Sequence, residues 1–462
     1  MPRSFDLSSP GYLKALTILA ALFLLLPLPV MQYVGEESIF ALKSYEMHLR
    51  GDIWHTYLFG GMYVHTPLYH WPIILFCNVF GWEHMDIGVR LISVIASWLS
   101  ALTAALLARH LFPEYNHAGW LAALVYLSMG EVMFWYGWLG YVDATFACFI
   151  FSATASLWMA IEKRHLGWLA LSMLLISIAF MVKNITAYAL LALAGLAMAH
   201  GMRAWRFVFS PGVLALSVAS LIVPWAWGHW GVHGDVSITV AVADGMRNFK
   251  GFNAFDYLFH LASFPFVFFF RALPVGFFLI WLWIKRKNRM SWPNAPLSTM
   301  ILVLAAIFLP FWIAAGATPR YLVPLYGWAA MIFTCMLLKL DRQDFLTGVK
   351  VIAIVILLKI PYSFAALPYL KDWRPERDLR GVAEEILSIT DGKQIRTLHD
   401  MATGISIAAY IDARIPPENY IRWYNGSERN VYVLTEQIEN HLGELVKQYR
   451  RRGDHIYLYW LP

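Results

Sequence analysis

Apolar runs close to the length of a membrane-spanning helix recur along most of the sequence. A helix needs ~20 predominantly apolar residues to cross a bilayer core, where no water satisfies an unpaired backbone. The composition agrees, because 59% of the 462 residues are hydrophobic and only 14% are charged. The sequence therefore predicts an all-α polytopic membrane protein. About eleven spans are expected, near 13–33, 88–109, 118–138, 142–161, 166–182, 185–202, 208–230, 259–284, 298–315, 321–339 and 346–368.

Basic residues gather in alternate connections between these spans, in short clusters at 163–164, 203–206 and 285–289. By the positive-inside rule these connections face the cytoplasm, and the intervening ones, which carry Glu36 and Asp143, face outward. The formal net charge of +6 is spread over these short clusters, so no nucleic-acid partner is expected. With an odd number of spans and a cytoplasmic start, the residues after 370 are expected outside the cytoplasm.

From about Lys371 the chain becomes charged and water-soluble in character. Its periodicities predict a small α/β domain, with helices at Leu379–Ile389 and Glu436–Arg450 and strands at Ile395–Leu398, Val431–Leu434 and His455–Trp460. The predicted domains are thus residues 1–370, in the membrane, and residues 371–462, outside it. The three cysteines lie in apolar runs without metal-ligand spacing, so a disulfide framework is not expected.

The stretch from Val34 to Arg90 is too long and too polar for an ordinary connection. Apolar residues between Ile39 and Leu49 alternate at helical spacing with polar residues such as Lys43 and Glu46. This pattern predicts amphipathic helices on the membrane surface. The run at 67–80 is short for a span and is interpreted as interfacial or re-entrant.

Charged residues from separate outward connections supply the chemistry. Glu36 and Glu37 follow the first span, Asp143 lies in another outward connection, and Lys183 and Arg320 are isolated outward cations. The acids also fit simpler roles, as a solvated helix end or, for Asp143, a helix N-cap. Charges near a membrane are costly and need partners. Acids and cations on one face suit a site that activates a hydroxyl while it holds a phosphate.

Several motifs in order resemble one family. They are Glu36-Glu37, then Gly51-Asp52, His65-Thr66-Pro67-Leu68-Tyr69-His70-Trp71, Phe80-Gly81-Trp82-Glu83 and Arg90-Leu91, and later Asp143, Lys183 and Arg320-Tyr321-Leu322-Val323-Pro324. This series resembles the catalytic loop and later motifs of membrane-embedded GT-C glycosyltransferases. The nearest branch looks like the protein O-mannosyltransferases and the lipid A aminoarabinose transferases. The likeness covers the chain up to about residue 370.

The resemblance implies roles for individual residues. The family's first acid corresponds to Glu36, which makes it the candidate base, with Glu37 in a supporting role and Asp143 as the competing base. Glutamate replaces the family's aspartate at position 36, and His65 replaces a lysine known in some members. Because histidine is a weaker phosphate anchor near neutral pH, Lys183 and Arg320 are expected to hold more of the donor phosphate.

Further candidates complete the predicted site. Tyr69 and His260 are candidates for substrate binding. A divalent metal is compatible with the histidines placed near this face, although interfacial histidines are more often structural; they are His48, His55, His65, His70 and His260. No other cofactor is expected.

The resemblance implies a donor sugar linked to a polyprenyl phosphate, and an inverting transfer to a lipid, glycan or protein acceptor. Membrane lipids would surround the spans, and the expected location is a bacterial inner membrane with the site facing the periplasm or exterior. A transporter of lipid-linked sugar without chemistry is the alternative. A convincing internal repeat would favour a transporter, and the sequence does not show one. A sensor or scaffold would leave Glu36, Asp143 and Lys183 unexplained.

Overall fold

The computed structural model describes residues 9–63, 65–230, 253–285, 295–314, 316–371, 377–399, 402–451 and 454–462. Of the predicted basic cluster at 285–289, residue 285 lies within these ranges and the other four residues lie outside them. The chain divides into two compact units. The first comprises Met1–Leu25, Ser93–Trp138 and Val142–Ile360, and the second comprises Leu26–Ile92, Leu139–Tyr141 and Pro361–Pro462. The predicted domain boundary between 370 and 371 stays a prediction.

The first unit is helical over its described residues. Helices lie at Pro10–Phe23, Met85–Leu111 (from Ser93 onward), Ala118–Ser128, Val142–Lys163, Leu166–Val182, Thr186–Gly201, Trp205–Val208, Pro211–Ser220, Ile222–Trp230, Ala254–Arg271, Val275–Lys285, Ala295–Ile313, Tyr326–Leu338 and Arg342–Pro361. Within the described chain, six helical stretches are long and apolar enough to cross a membrane, and five apolar helices are shorter. The predicted all-α polytopic membrane architecture is confirmed. The count of eleven spans stays a prediction.

Some predicted spans are wrong as single α-helices. The predicted span at 13–33 ends as an α-helix at Phe23 and continues as turns. The run at 259–284 is interrupted before Pro274, which has no N–H to continue the helical hydrogen bonding. The run at 118–138 stops being α-helical after Ser128, and a π-helical turn follows at Val132–Tyr136. In between, the Gly130 N–H donates to the Leu273 carbonyl rather than to its own helix, at 2.5 Å. Hydrophobicity alone does not reveal such breaks, because the residues around them are all apolar.

The second unit contains a mixed five-stranded sheet. Its strands are β3 Ile395–Thr397, β4 Arg422–Trp423, β5 Val431–Thr435, β6 Glu444–Arg451 and β7 Asp454–Leu461. Across the sheet they lie in the order β4-β3-β5-β7-β6. β3 runs parallel to β4 and β5, and β7 runs antiparallel to β5 and β6. The same unit contains the helices Leu379–Thr390 and Ala402–Asp412. The small α/β region expected in the last part of the chain is therefore present.

The predicted helix at Glu436–Arg450 is wrong. Residues Glu444–Arg451 instead form β6, which pairs antiparallel with β7 from Glu444 opposite Trp460 to Arg451 opposite Asp454. The local sequence is rich in residues that favour helices. The hydrogen bonds of β6 come from pairing with another strand, and that gain outweighs a weak local preference.

The Val34–Arg90 stretch forms several elements of the second unit. A helix spans Glu37–Arg50, a hairpin joins β1 (Thr56–Leu58) to β2 (Gly61–Tyr63), and helices follow at His70–Phe80 and from Met85. The predicted polar face of the first helix is wrong, because Lys43 and Glu46 are both fully buried. Lys43 contacts His65, and Glu46 accepts the N–H groups of Phe59 and Gly60, so this face meets protein rather than water. The Ala402–Asp412 helix of the same unit also packs against this helix.

Candidate active site

The two adjacent acids at the start of the Glu37–Arg50 helix have different surroundings. Glu36 directly precedes the helix and is exposed, whereas Glu37 has no exposed surface. Successive positions on a helix diverge by about 100°, so one carboxylate faces inward while the other does not. The two acids therefore cannot share one task.

Glu37 forms a buried, two-pronged ion pair with Arg90. The Arg90 Nε donates to Glu37 Oε1 at 3.0 Å, and Nη2 donates to Oε2 at 2.6 Å. The same carboxylate accepts the backbone N–H of Val34 at 2.8 Å and that of Gly140 at 2.7 Å. Four donors thus satisfy a charge that would be costly to bury alone. Glu37 therefore holds the surrounding backbone in place.

The main chain leading to Glu36 is fixed by this arrangement. Arg90 also donates to the carbonyl oxygens of Met31, at 2.7 Å, and Gln32, at 2.6 Å. The Glu36 N–H donates to the Tyr141 hydroxyl at 2.8 Å. Gly35 has a φ of 60°, and a Cβ there would lie 2.2 Å from the same hydroxyl, so only glycine fits. The exposed acid is therefore presented from a rigid backbone.

Lys43 lies about two turns after Glu36 along the Glu37–Arg50 helix, and it contacts His65. Its Nζ is 3.2 Å from His65 Nδ1 and 3.8 Å from the centre of the Tyr63 ring. Burial lowers the pKa of Lys43 to about 7, although the charges of Glu36 and Glu46 act in the opposite direction. His65 itself is exposed. His65, the predicted phosphate ligand, is thus in contact with a lysine that lies 22 residues earlier in the sequence.

In the first unit, Asp143 and Lys183 form an ion pair at 2.5 Å. Asp143 lies in the first turn of the Val142–Lys163 helix, where a negative charge is favoured by the helix dipole, and is 3% exposed. Lys183 ends the Leu166–Val182 helix. The structure therefore brings together one predicted acid and one predicted cation. The Lys183 ammonium occupies one oxygen of the Asp143 carboxylate.

The Tyr321 ring lies close to both predicted cations of the first unit. Lys183 Nζ lies 4.9 Å and Arg320 Cζ 5.5 Å from the centre of its ring. A tyrosine face favours cations at such distances. The Arg-Tyr dipeptide of the late motif thus joins Lys183 and Arg320 into one positively charged cluster.

Two other predicted residues make local packing contacts. Tyr69 is buried, and its ring packs edge-on against Phe40 and His70. His260 Nε2 lies 3.0 Å from the Trp312 carbonyl, and its ring lies against Phe264. Their roles in substrate binding stay predictions.

The histidines considered for a metal have other partners. The Nδ1 atoms of His55 and His70 lie near Asp52, at 2.7 Å, and Ser44, at 2.9 Å, and His48 stacks on Trp82. Among the residues that the structure describes, no group of three or more histidine, cysteine or acidic side chains could hold a metal ion. A divalent metal stays an untested expectation.

Sequence reasoning missed several buried charges. Arg90 was noted only as part of a motif, and Lys43 only as part of a polar face. Glu131 and Arg271 form an ion pair, and the fully buried Lys359 lies over the Trp138 ring, at 5.1 Å from its centre. A single charge within an apolar helix, as at Lys359, is the signal that could have drawn attention to them.

Comparisons with known proteins support this description. A family model for dolichyl-phosphate-mannose-protein mannosyltransferase matches residues 64–230. Two relatives are named undecaprenyl phosphate-alpha-4-amino-4-deoxy-L-arabinose arabinosyl transferase. The one from Pseudomonas paraeruginosa is 29% identical over 374 residues, which are 78% of this chain and 66% of the relative. The one from Pseudomonas aeruginosa is 30% identical over 323 residues, 67% of this chain and 56% of the relative. The chain thus spans less than two thirds of the length of these curated relatives.

A solved structure of ArnT from Cupriavidus metallidurans, bound to undecaprenyl phosphate, superposes with a TM-score of 0.71 and 14% identity over 97% of this chain and 98% of that one. The apo structure of the same protein gives 0.69 and 15%, covering 97% of each chain. The chain has the GT-C fold. The resemblance drawn from the sequence motifs is therefore confirmed, and the transporter alternative is not favoured.

Proposed function

We propose that this GT-C protein transfers a sugar from a polyprenyl-phosphate-linked donor to an acceptor outside the cytoplasm, with inversion at the anomeric carbon. The observation that carries the proposal is the exposed Glu36 carboxylate, which follows a backbone held by the buried Glu37–Arg90 pair. A general base must be accessible and precisely placed. The names of the arabinosyl transferase relatives support the donor class.

The proposed reaction is a single displacement. An acceptor hydroxyl oxygen attacks the anomeric carbon and forms the new glycosidic bond. The bond from that carbon to the lipid phosphate oxygen breaks, and the phosphate leaves with the electron pair. Glu36 takes the proton of the hydroxyl. An acceptor phosphate that is already ionised would need no base, so the dependence on Glu36 distinguishes the two acceptor chemistries.

Glu36 is preferred to Asp143 as the base because Glu36 is exposed, whereas Asp143 is almost fully buried. Asp143 also accepts a hydrogen bond from Lys183 at 2.5 Å, and burial limits the access of an acceptor hydroxyl to its carboxylate. The main role that we propose for Asp143 is to orient Lys183. Lys183, Arg320 and His65 remain the proposed ligands of the donor phosphate, since each can donate a hydrogen bond to an anionic oxygen.

The proposed location is a bacterial inner membrane, with Glu36 and residues 371–462 on the periplasmic or outer side. The alternation of basic connections in the sequence supports this orientation. A polyprenyl-phosphate donor would then place its lipid tail among the membrane-spanning helices. Its phosphate would lie at the outer interface.

A reconstituted transfer reaction tests the proposal. Purified protein in detergent would receive a panel of undecaprenyl-phosphate-linked pentoses and hexoses, including 4-amino-4-deoxy-L-arabinose. Lipid, glycan and protein acceptors would be supplied separately. We expect mass spectrometry to find undecaprenyl phosphate released in step with a glycosylated acceptor, and far less with Glu36→Gln when the acceptor group is a hydroxyl. Absence of release with every donor and acceptor class would contradict the proposal.

A further inference from the structure

The contact between Lys43 and His65 is unusual for a helix that was expected to lie on the membrane surface. Lys43 has no exposed surface, yet its Nζ lies within hydrogen-bond distance of the exposed His65, at 3.2 Å from Nδ1. The Tyr63 ring covers the same ammonium at 3.8 Å from its centre. A buried lysine needs such partners, because a charge removed from water is costly.

The chemistry of the two groups fixes the state of the imidazole. A lysine ammonium carries only donors, so a charged Lys43 requires His65 Nδ1 to be an acceptor. The ring proton must then be on Nε2. While Lys43 is charged, His65 is held as one tautomer with an N–H on the side away from Lys43, and a positive charge lies directly behind it.

We propose that Lys43 and His65 act together as one cationic unit toward the donor phosphate, with Lys43 as a positioning residue that fixes the His65 tautomer and supplies its charge. This inference rests on the proposed function. In this arrangement the Glu37–Arg50 helix supplies the positive charge, and the exposed His65 supplies the N–H that meets the phosphate.

The pair also predicts a pH dependence. The titratable groups that face Lys43 are Glu36, Glu46, Tyr63, His65 and His70. Burial lowers the Lys43 pKa to about 7, so its charge is lost as the pH rises through about 7. We therefore expect the attraction for an anionic lipid to weaken between about pH 6 and about pH 8.

The test measures binding of undecaprenyl phosphate and of undecaprenol, which lacks the phosphate, from pH 6 to pH 9. We expect Lys43→Met to weaken phosphate binding about tenfold near pH 6, where Lys43 is charged, which is the scale of one charge-assisted contact, and to remove the loss of affinity with rising pH. Undecaprenol binding should not change. The double variant Lys43→Met/His65→Lys places the charge at position 65 and should restore affinity to within about threefold of wild type. Lys350→Met removes an exposed lysine and is the matched control.

The outcomes separate this inference from the proposed function. If wild-type protein does not bind undecaprenyl phosphate more tightly than undecaprenol, the proposed donor and the role of Lys43 both fail. If wild type binds the phosphate and Lys43→Met behaves identically at every pH, only the inference fails. If Lys43→Met also weakens the binding of undecaprenol, the contact between Lys43 and His65 is merely structural. The positioning role is likewise refuted if the double variant does not regain affinity for undecaprenyl phosphate.

Discussion

Replacing each of the two adjacent acids by glutamine separates stability from chemistry. Glu37→Gln keeps the shape of the side chain but removes the charge that faces Arg90 at 2.6 Å, where both side chains are 0% exposed. The guanidinium would keep its hydrogen bonds to the Met31 and Gln32 carbonyls but lose its counter-charge. Removal of one partner from a buried ion pair costs about 3–5 kcal/mol. We expect the free energy of unfolding to fall by about that amount.

Glu36→Gln should have the opposite profile. Glu36 is exposed, so its neutral analogue should unfold at the same denaturant concentration as wild type. Loss of a general base should reduce turnover about 10²–10⁴-fold for a hydroxyl acceptor, with little change in donor binding. Glu36→Asp, which keeps the carboxylate on a shorter side chain, should keep partial activity.

Both profiles can be measured on the same purified samples. Unfolding in mixed micelles is followed by tryptophan fluorescence, and transfer by release of the lipid phosphate. In the double variant Glu37→Gln/Arg90→Met, the buried charge is removed together with its partner, so the loss of stability should be smaller than the sum of the two single losses. A Glu37→Gln protein as stable as wild type would refute the structural role. A fully active Glu36→Gln protein together with an inactive Asp143→Asn protein would transfer the role of base to Asp143.

Three further predictions follow from the charges. Lys183→Ala and Arg320→Ala should each weaken donor binding by about 1.5–3 kcal/mol, measured by lipid titration; unchanged affinity in both would exclude them from phosphate binding. Burial raises the pKa of Glu46 from 4.5 to about 7, so the folded chain binds the proton more tightly and stability should fall as the pH rises from about 4.5 to about 7. Unfolding of Glu46→Gln across this range should lack that fall, and an identical slope would contradict it. A reporter fused after Pro462 should be active only outside the cytoplasm and one fused within 285–289 only inside; activity on the same side would refute the orientation.

How much the sequence could predict depends on how far apart in the chain the interacting residues lie. Helices in the membrane region, and the divergence of Glu36 from Glu37, depend on residues close together in the chain. The burial of Lys43 and Glu46 could not be foreseen, because Lys43 is covered by Tyr63 and His65, and Glu46 accepts the N–H groups of Phe59 and Gly60, all outside their own helix. The contact of this helix with Ala402–Asp412, where the Ser38 and Ser406 hydroxyls lie 2.9 Å apart, joins residues 368 positions apart in the sequence.

The errors share this physical origin. Glu444–Arg451 has a helical composition but gains its hydrogen bonds from β7, and no local pattern reports that pairing. The partners of the predicted site charges were likewise hidden. Asp143 and Lys183 are 40 residues apart in sequence, and Glu37 and Arg90 are 53 apart. The sequence could predict that each charge needs a partner, but not which one.

The central claim, that this chain transfers a lipid-linked sugar, is tested most directly in cells. Envelope lipids, glycans and proteins would be analysed by mass spectrometry from cells that carry the wild-type chain, no chain, or the Glu36→Gln chain at equal abundance. We expect one sugar mass on one class of acceptor in the wild type. It should be missing without the chain and strongly reduced with Glu36→Gln if the acceptor is a hydroxyl. Identical spectra for all three fractions with and without the chain would contradict the account.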